Sequence, residues 1–291
     1  MNEYVSLEDL RRYKGLGEID ATDDDELLRD LAESASRVWD ALTGLWFYPK
    51  AETRYYDHPR NARELKVNGP LLEITTFTTQ STGVSLVSGD YFLLCGDRYD
   101  LTPYDRIRMK MDGDYPNLLF SGTVQQANAI LGIWGWHEDW SNAWVDSGDT
   151  VQDSGSVAAA ATTLTVSNID GRDEFGRTPR IKEQNLLKID SEYLYVWAKN
   201  QSDNTLRVKR GVNGTTAAAH TNGTTVYVYK PMNQVYHATR RLTAYLHAQK
   251  DAKFEAVAVP HMGYMEIPSG LPKDLRDLIH YFRDIAVAGI G

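Results

Sequence analysis

The sequence predicts an α+β protein, with helices towards both ends of the chain and antiparallel β structure between them. Three observations lead there. Apolar residues recur at helical spacing near both termini, short β-branched and aromatic runs fill the middle, and the charge changes sign part-way along. The 291 residues carry a net charge of −9 and are 42% hydrophobic, enough for a buried core and for two domains. Residues 1–45 hold twelve acids against five bases, and 46–170 hold sixteen against nine. Residues 171–230 reverse this, with ten bases against six acids. The reversal marks residues 171–230 as a different unit.

The elements follow in order. Ser6, with Asp9 three residues on, is a capping arrangement for a first helix, and Gly15 is its stop. Thr22 caps a second, longer helix, whose first turn places Asp23, Asp24, Asp25 and Glu26 at the positive end of the helix dipole. Leu27, Leu28, Leu31, Ala32, Ala35, Val38, Trp39 and Leu42 give it one apolar face, and Gly44 ends it. From Thr53 the runs TRYYD, LLEITTFTT, VSLVSGDYFLL, DRIRMK and NAILGIWGW read as strands, with turn signals at Asn68-Gly69-Pro70 and Ser88-Gly89-Asp90. The stretch 146–161, rich in Ser, Gly, Asp and Ala, reads as a surface connection. A self-contained strand-and-turn pattern follows to Lys230. Val235, Ala238, Leu242, Tyr245 and Leu246 then mark a helix from about Pro231 to Lys250. A last helix from Pro272 buries Leu275, Leu278, Ile279, Phe282 and Ile285, and the chain ends in the apolar IAVAGIG.

The chemistry-bearing patterns are few. One cysteine, Cys95, excludes an internal disulfide and a cysteine zinc site, and its apolar run predicts a buried thiol. None of the seven histidines has metal-ligand spacing, and the chain carries no nucleotide-binding fingerprint or nucleophile elbow, so no catalytic residue, cofactor or metal is expected. An acidic chain lacks the sign needed for phosphate neutralisation, which argues against high-affinity DNA binding while suiting a wall past which DNA slides. The start has no secretion signal, and no apolar run approaches the ~18 residues of a membrane span. Two stretches invite a functional reading. GIWGWHEDWSNAW (132–144) offers a sugar platform from Trp134, Trp136, Trp140 and Trp144, or else a strand and an aromatic-anchored loop. RGVNGTTAAAH (210–220) resembles a phosphate cradle, but it lies between strand-like runs instead of ahead of a helix, so a structural turn is expected, with Asn213-Gly214 at its corner and His220 bonded to or packed on the loop.

Together, YVSLEDLRRYKGL, the acidic-capped helix closing in ALTGLWFYP, LLEITTFTT, PYDRIRM, ILGIWGWHEDW and NQVYHATRRLTAYLH resemble the head–tail connector (adaptor) family of tailed bacteriophages, over residues 4–145 and 232–252. The resemblance implies a helical bundle with a small antiparallel β portion. It also implies a virion protein of the head–tail junction, assembled in the host cytoplasm as a homo-oligomeric, twelve-fold ring. Such a ring sits beneath the portal, extends the DNA channel, meets a tail or stopper protein and involves no membrane. Against short members of the family the chain departs in residues 147–230, which the resemblance makes an inserted β module within a connector core of 1–146 and 231–291, and which are similar to a β module of phage virion proteins. The C-terminal segment has the position of the portal-reaching segment, which implies portal contacts from Leu271, Leu275, Leu278, Ile279, Phe282, Ile285 and Ile290. Asp23, Asp24, Asp25, Asp30 and Glu33 are the expected channel-lining acids, facing genomic DNA without sequence-specific binding. The rival expectations are a carbohydrate-binding or carbohydrate-active protein using Trp134–Trp144, and a tail or baseplate component.

Overall fold

A computed structural model describes residues 2–13, 24–79, 84–96, 98–99, 102–114, 120, 125–173, 176, 178–248 and 271–288. The chain forms two compact units, one from Met1–Leu45 and Asn233–Val287, the other from Trp46–Met232. No helix among the described residues is long and apolar enough to cross a membrane.

The first unit holds the four α-helices of the described residues: α1 (Leu7–Arg11), α2 (Asp25–Thr43), α3 (Asn233–Ala248) and α4 (Lys273–Ala288). Ser6 caps α1 as its spacing requires, its hydroxyl accepting the Asp9 amide at 3.2 Å. α2 starts later than expected, with Asp24 in the cap position and no side-chain cap bond, and Thr22 and Gly15 lie outside the described residues. It ends at Gly44, whose left-handed conformation returns the amide to the Asp40 carbonyl. Leu28, Ala32, Ala35 and Trp39 are buried at helical spacing, whereas Val38 and Leu42 stay exposed at the edge of the apolar stripe. Leu28 and Ala32 join Val5, Leu7 and Leu10 in one cluster, and Trp39 meets Phe282 of α4 edge-on at 6.3 Å.

The second unit is antiparallel β. Its first sheet contains β1 (Lys50–Tyr56), β2 (Glu64–Thr79), β3 (Val84–Leu86), β4 (Tyr91–Cys95), β5 (Arg98–Tyr99), β6 (Tyr104–Met109) and β7 (Asn128–Trp134), in the order β1-β7-β2-β6-β4-β5 with β3 on β2. Phe77, Ile107, Ile130 and Trp134 centre its core. The second sheet contains β8 (Trp144–Thr150), β10 (Thr163–Thr165), β11 (Leu186–Ile189), β12 (Glu192–Asn200), β13 (Thr205–Lys209) and β15 (Thr225–Tyr229), in the order β10-β13-β12-β11-β15-β8. Val151 bridges Val166, and amide bonds Gln152 to Thr165 and Ser167 to Thr150 flank the bridge. These bonds join the two ends of the sheet and close it into a small barrel around Val151, Leu164, Leu187, Leu194, Val196, Leu206 and Val226. β9 (Ser156–Val157) and β14 (His220–Thr221) form a two-stranded accessory ladder.

The expected fold class is therefore corrected: the protein is mostly β and is not a helical bundle with a small β portion. Among the described residues the β portion is seven-, six- and two-stranded, and α1 is a single turn of five residues. Two local signals misled. Asn68-Gly69-Pro70 is no turn but lies within the 16-residue β2, where the register with β6 shifts between Lys66 and Leu71. Gly69 sits there at φ +94°, and a Cβ would run into the Arg54 guanidinium, so the glycine makes a bulge instead of a reversal. The 146–161 stretch is also no surface connection, because β8 and β9 run through it and Ser147, Asp149, Val151 and Val157 are buried. The Ser147 hydroxyl donates to the Val226 carbonyl, and one Asp149 oxygen accepts the Asn168 amide at 3.0 Å, so polar composition here serves the interior. Cys95 is half-buried at the end of β4, not enclosed as its apolar run suggested.

Candidate functional site

The loop RGVNGTTAAAH is organised by a residue 18 positions away, Glu192 at the start of β12. The Glu192 side chain is fully buried and accepts Arg210 Nε and a second guanidinium nitrogen at 2.7 Å each. It also accepts the Gly211 and Ala218 amides at 2.9 Å and His220 Nε2 at 2.9 Å. His220 Nδ1 reaches Asp190 at 2.8 Å, in the turn between β11 and β12. Burial by itself would raise the Glu192 carboxyl, but the bonds from Arg210, Ala218, Gly211 and His220 outweigh it and hold the group at about 2. A carboxylate with every lone pair engaged has no capacity left for a ligand, so this is a clamp that shapes the loop. Its outer corner, Asn213 at φ +54° and Gly214 at φ +83°, donates no phosphate cradle. Instead the Asn213 carbonyl accepts the Ala51 amide at 2.8 Å, tying the barrel to β1.

GIWGWHEDWSNAW is the joint between the two sheets. Trp134 closes β7 and is fully buried, its indole N–H donating to the Glu52 carbonyl at 2.9 Å, with the Arg54 guanidinium 3.9 Å above its ring. The chain then turns, and a 3-10 turn at Trp140–Asn142 leads into β8. Trp144 stacks on Tyr193 at 4.9 Å and Tyr229 at 5.3 Å, while Trp140 meets Trp144 edge-on at 6.3 Å. His137 is buried between Trp140 and Tyr229, accepts the Asp139 amide on Nδ1 and donates from Nε2 to the Lys230 carbonyl at 3.1 Å. Burial lowers its affinity for a second proton. Trp134 is therefore withdrawn from any platform, while the part-exposed Trp140 and Trp144 belong to one aromatic cluster with Tyr193 and Tyr229. Glu138 and Asp139 are exposed on the loop, with Asp139 turned onto Asn142 and Ser141.

The expected channel acids divide. Asp23 lies outside the described residues. Asp25 is clamped by Arg11, and Asp24 meets His247 of α3 at 3.1 Å, so both serve the packing of helices. Asp30 and Glu33 are exposed on α2, and Glu26 shares their side of the helix, where the half-buried Arg29 and the Arg37 guanidinium are interleaved with the three acids. The expected portal residues fare differently. Leu275, Ile279 and Phe282 are buried within their own chain, Leu271 and Leu278 are half-buried, and the Ile285 and Ile290 side chains lie outside the described residues. What α4 turns outwards includes Arg276, Asp277, His280 and Tyr281.

Compared with family models and with curated proteins, the chain matches none.

Proposed function

We propose that the protein is a structural virion component, a head–tail connector that assembles as a ring below a portal and prolongs the DNA channel towards the tail. The single observation that carries the reading is the exposed acidic row Glu26, Asp30 and Glu33 on α2, set on a chain whose ordered motifs resemble that family. The three exposed acids outnumber the Arg29 and Arg37 guanidiniums on that side, and a net negative face repels the phosphate backbone and lets a duplex pass without adhering. Two features support a structural reading of the loop and the joint: the Glu192 carboxylate is saturated, and Trp134 is enclosed. The ring, its portal and tail partners and its virion location all belong to this proposal.

The test is mass photometry of the purified protein, alone and then mixed with portal particles of the same virus. Binding of many copies per portal is expected. A protein that ignores the portal would overturn the reading.

A further inference from the structure

We infer that copies of this chain join head to tail, the Trp197 face of the barrel in one copy docking on the Val87–Met111 tip of the first sheet in the next. The inference deepens the ring reading by naming its repeating contact. On the barrel, the register between β12 and β13 shifts between Val196 and Ala198, and Trp197 is the extra residue of that bulge. The bulge sets its indole on the outer wall, 55% exposed and edge-on to Tyr195 at 5.2 Å. Tyr195 pairs with Lys209 and Ala198 with Arg207, which places two exposed cations beside the indole. An exposed tryptophan flanked by arginine and lysine has the make-up of an interface anchor.

The tip of the first sheet has the opposite make-up. Met111 and Val87 are 72% and 57% exposed, the two most exposed large apolar residues among the described ones after Tyr55 is set aside. Asp90 holds their two turns together: it accepts the Val87 amide at 2.9 Å and the Asp114 amide at 2.9 Å, and its carbonyl accepts the Lys110 amide at 2.8 Å. Asp112 and Asp114 are exposed around Met111, while Lys110 is turned onto the Phe92 ring and the Ser88 carbonyl. A soft thioether and a valine between acids fit an indole between cations, with sulfur–aromatic contact at the centre and ion pairs at the rim. The charge of whole segments agrees, since 46–170 holds sixteen acids against nine bases and 171–230 ten bases against six acids. The two faces lie on different sheets of one chain, so the contact is heterologous and repeats from copy to copy, as a ring requires.

The test is sedimentation velocity of the full chain without portal, over a range of concentration and salt, so that a failure here is separate from a failure to bind portal. The wild-type chain should self-associate, and less at high salt. Arg207→Glu/Lys209→Glu and Asp112→Lys/Asp114→Lys should each remain monomeric alone. Mixed together they should associate again, because every module then meets a tip of opposite sign. Trp197→Ala should weaken self-association about tenfold with unchanged circular dichroism. A wild-type chain monomeric throughout, variants that associate like it, or a mixture that stays apart would each overturn the contact. Chains that bind heparin through Arg207 and Lys209 while remaining monomeric would also overturn it, and would assign the face to an acidic glycan.

Discussion

At the scale of single residues, Glu192 is the clearest case of tertiary context deciding a role. Replacing it by Gln leaves the Arg210 guanidinium buried without its counter-charge, and should cost about 3–5 kcal/mol in urea unfolding followed by tryptophan fluorescence. The pH dependence has a definite sign. Because the folded carboxyl is lowered from 4.5 to about 2, its stabilisation is present above pH 4.5 and is lost as pH falls from there towards 2. The wild-type melting temperature should drop across that window, and Glu192→Gln should flatten the drop. Asp40 on α2 has the opposite sign. Burial raises it from 3.8 to about 6 despite Arg37 and the Tyr4 hydroxyl, so its contribution is present below pH 3.8 and lost as pH rises through 6. Asp40→Asn keeps an acceptor for Tyr4 and removes the charge. Its melting temperature should exceed wild type at pH 7 and equal it at pH 3.5.

At the scale of elements, the turn at Asn213-Gly214 does more than reverse the chain. A Cβ on Gly214 would meet the Ala51 carbonyl of β1, and the residue sits at φ +83°, so Gly214→Ala combines backbone strain with a collision against a main-chain atom. A loss of about 1–3 kcal/mol is expected, with faster amide exchange at Ala51, whose hydrogen bond to Asn213 would open. Gly214→Ala with unaltered exchange at Ala51 would show that the barrel is held to β1 by other contacts. The helical elements were legible because α2 and α4 each bury one stripe, and stripes are local patterns. The start of α2, the bulge at Gly69 and strand β8 were not. A glycine-proline pair gives the same composition to a turn and to a bulge, and only the register against β6 tells them apart. Likewise Ser147 and Asp149 are strand residues because Val226 and Asn168 complete their hydrogen bonds, and those partners are distant in sequence.

At the scale of the whole molecule, the channel reading now rests on a narrower set of acids. Asp24 and Asp25 are engaged with His247 and Arg11, so reversing them would disturb the helices themselves. Asp30→Lys changes an exposed side chain, and should leave stability within about 0.5 kcal/mol of wild type. Virions carrying it are expected to assemble but to eject DNA poorly; normal infectivity would remove α2 from the channel wall. Deleting the chain beyond Gly270 would be a blunt test of portal docking, because it also takes Phe282 from beside Trp39. Tyr281→Ala, on the outward side of α4, probes the same helix without opening the core.

The sequence by itself determined which ends of the chain are helical, where α2 stops, that residues 162–230 form strand-and-turn structure, and that RGVNGTTAAAH is a turn between strands. These follow from periodicity and from residues tolerant of positive φ, both of which act over a few positions. Only the tertiary structure decided that β structure dominates, that the second sheet closes through Val151 and Val166, that Glu192 shapes the loop, and that Trp134 is enclosed while Trp197 is displayed. Each of those depends on which distant segments come together. Burial and hydrogen-bond completion are properties of such pairs, and no local window of sequence contains both partners.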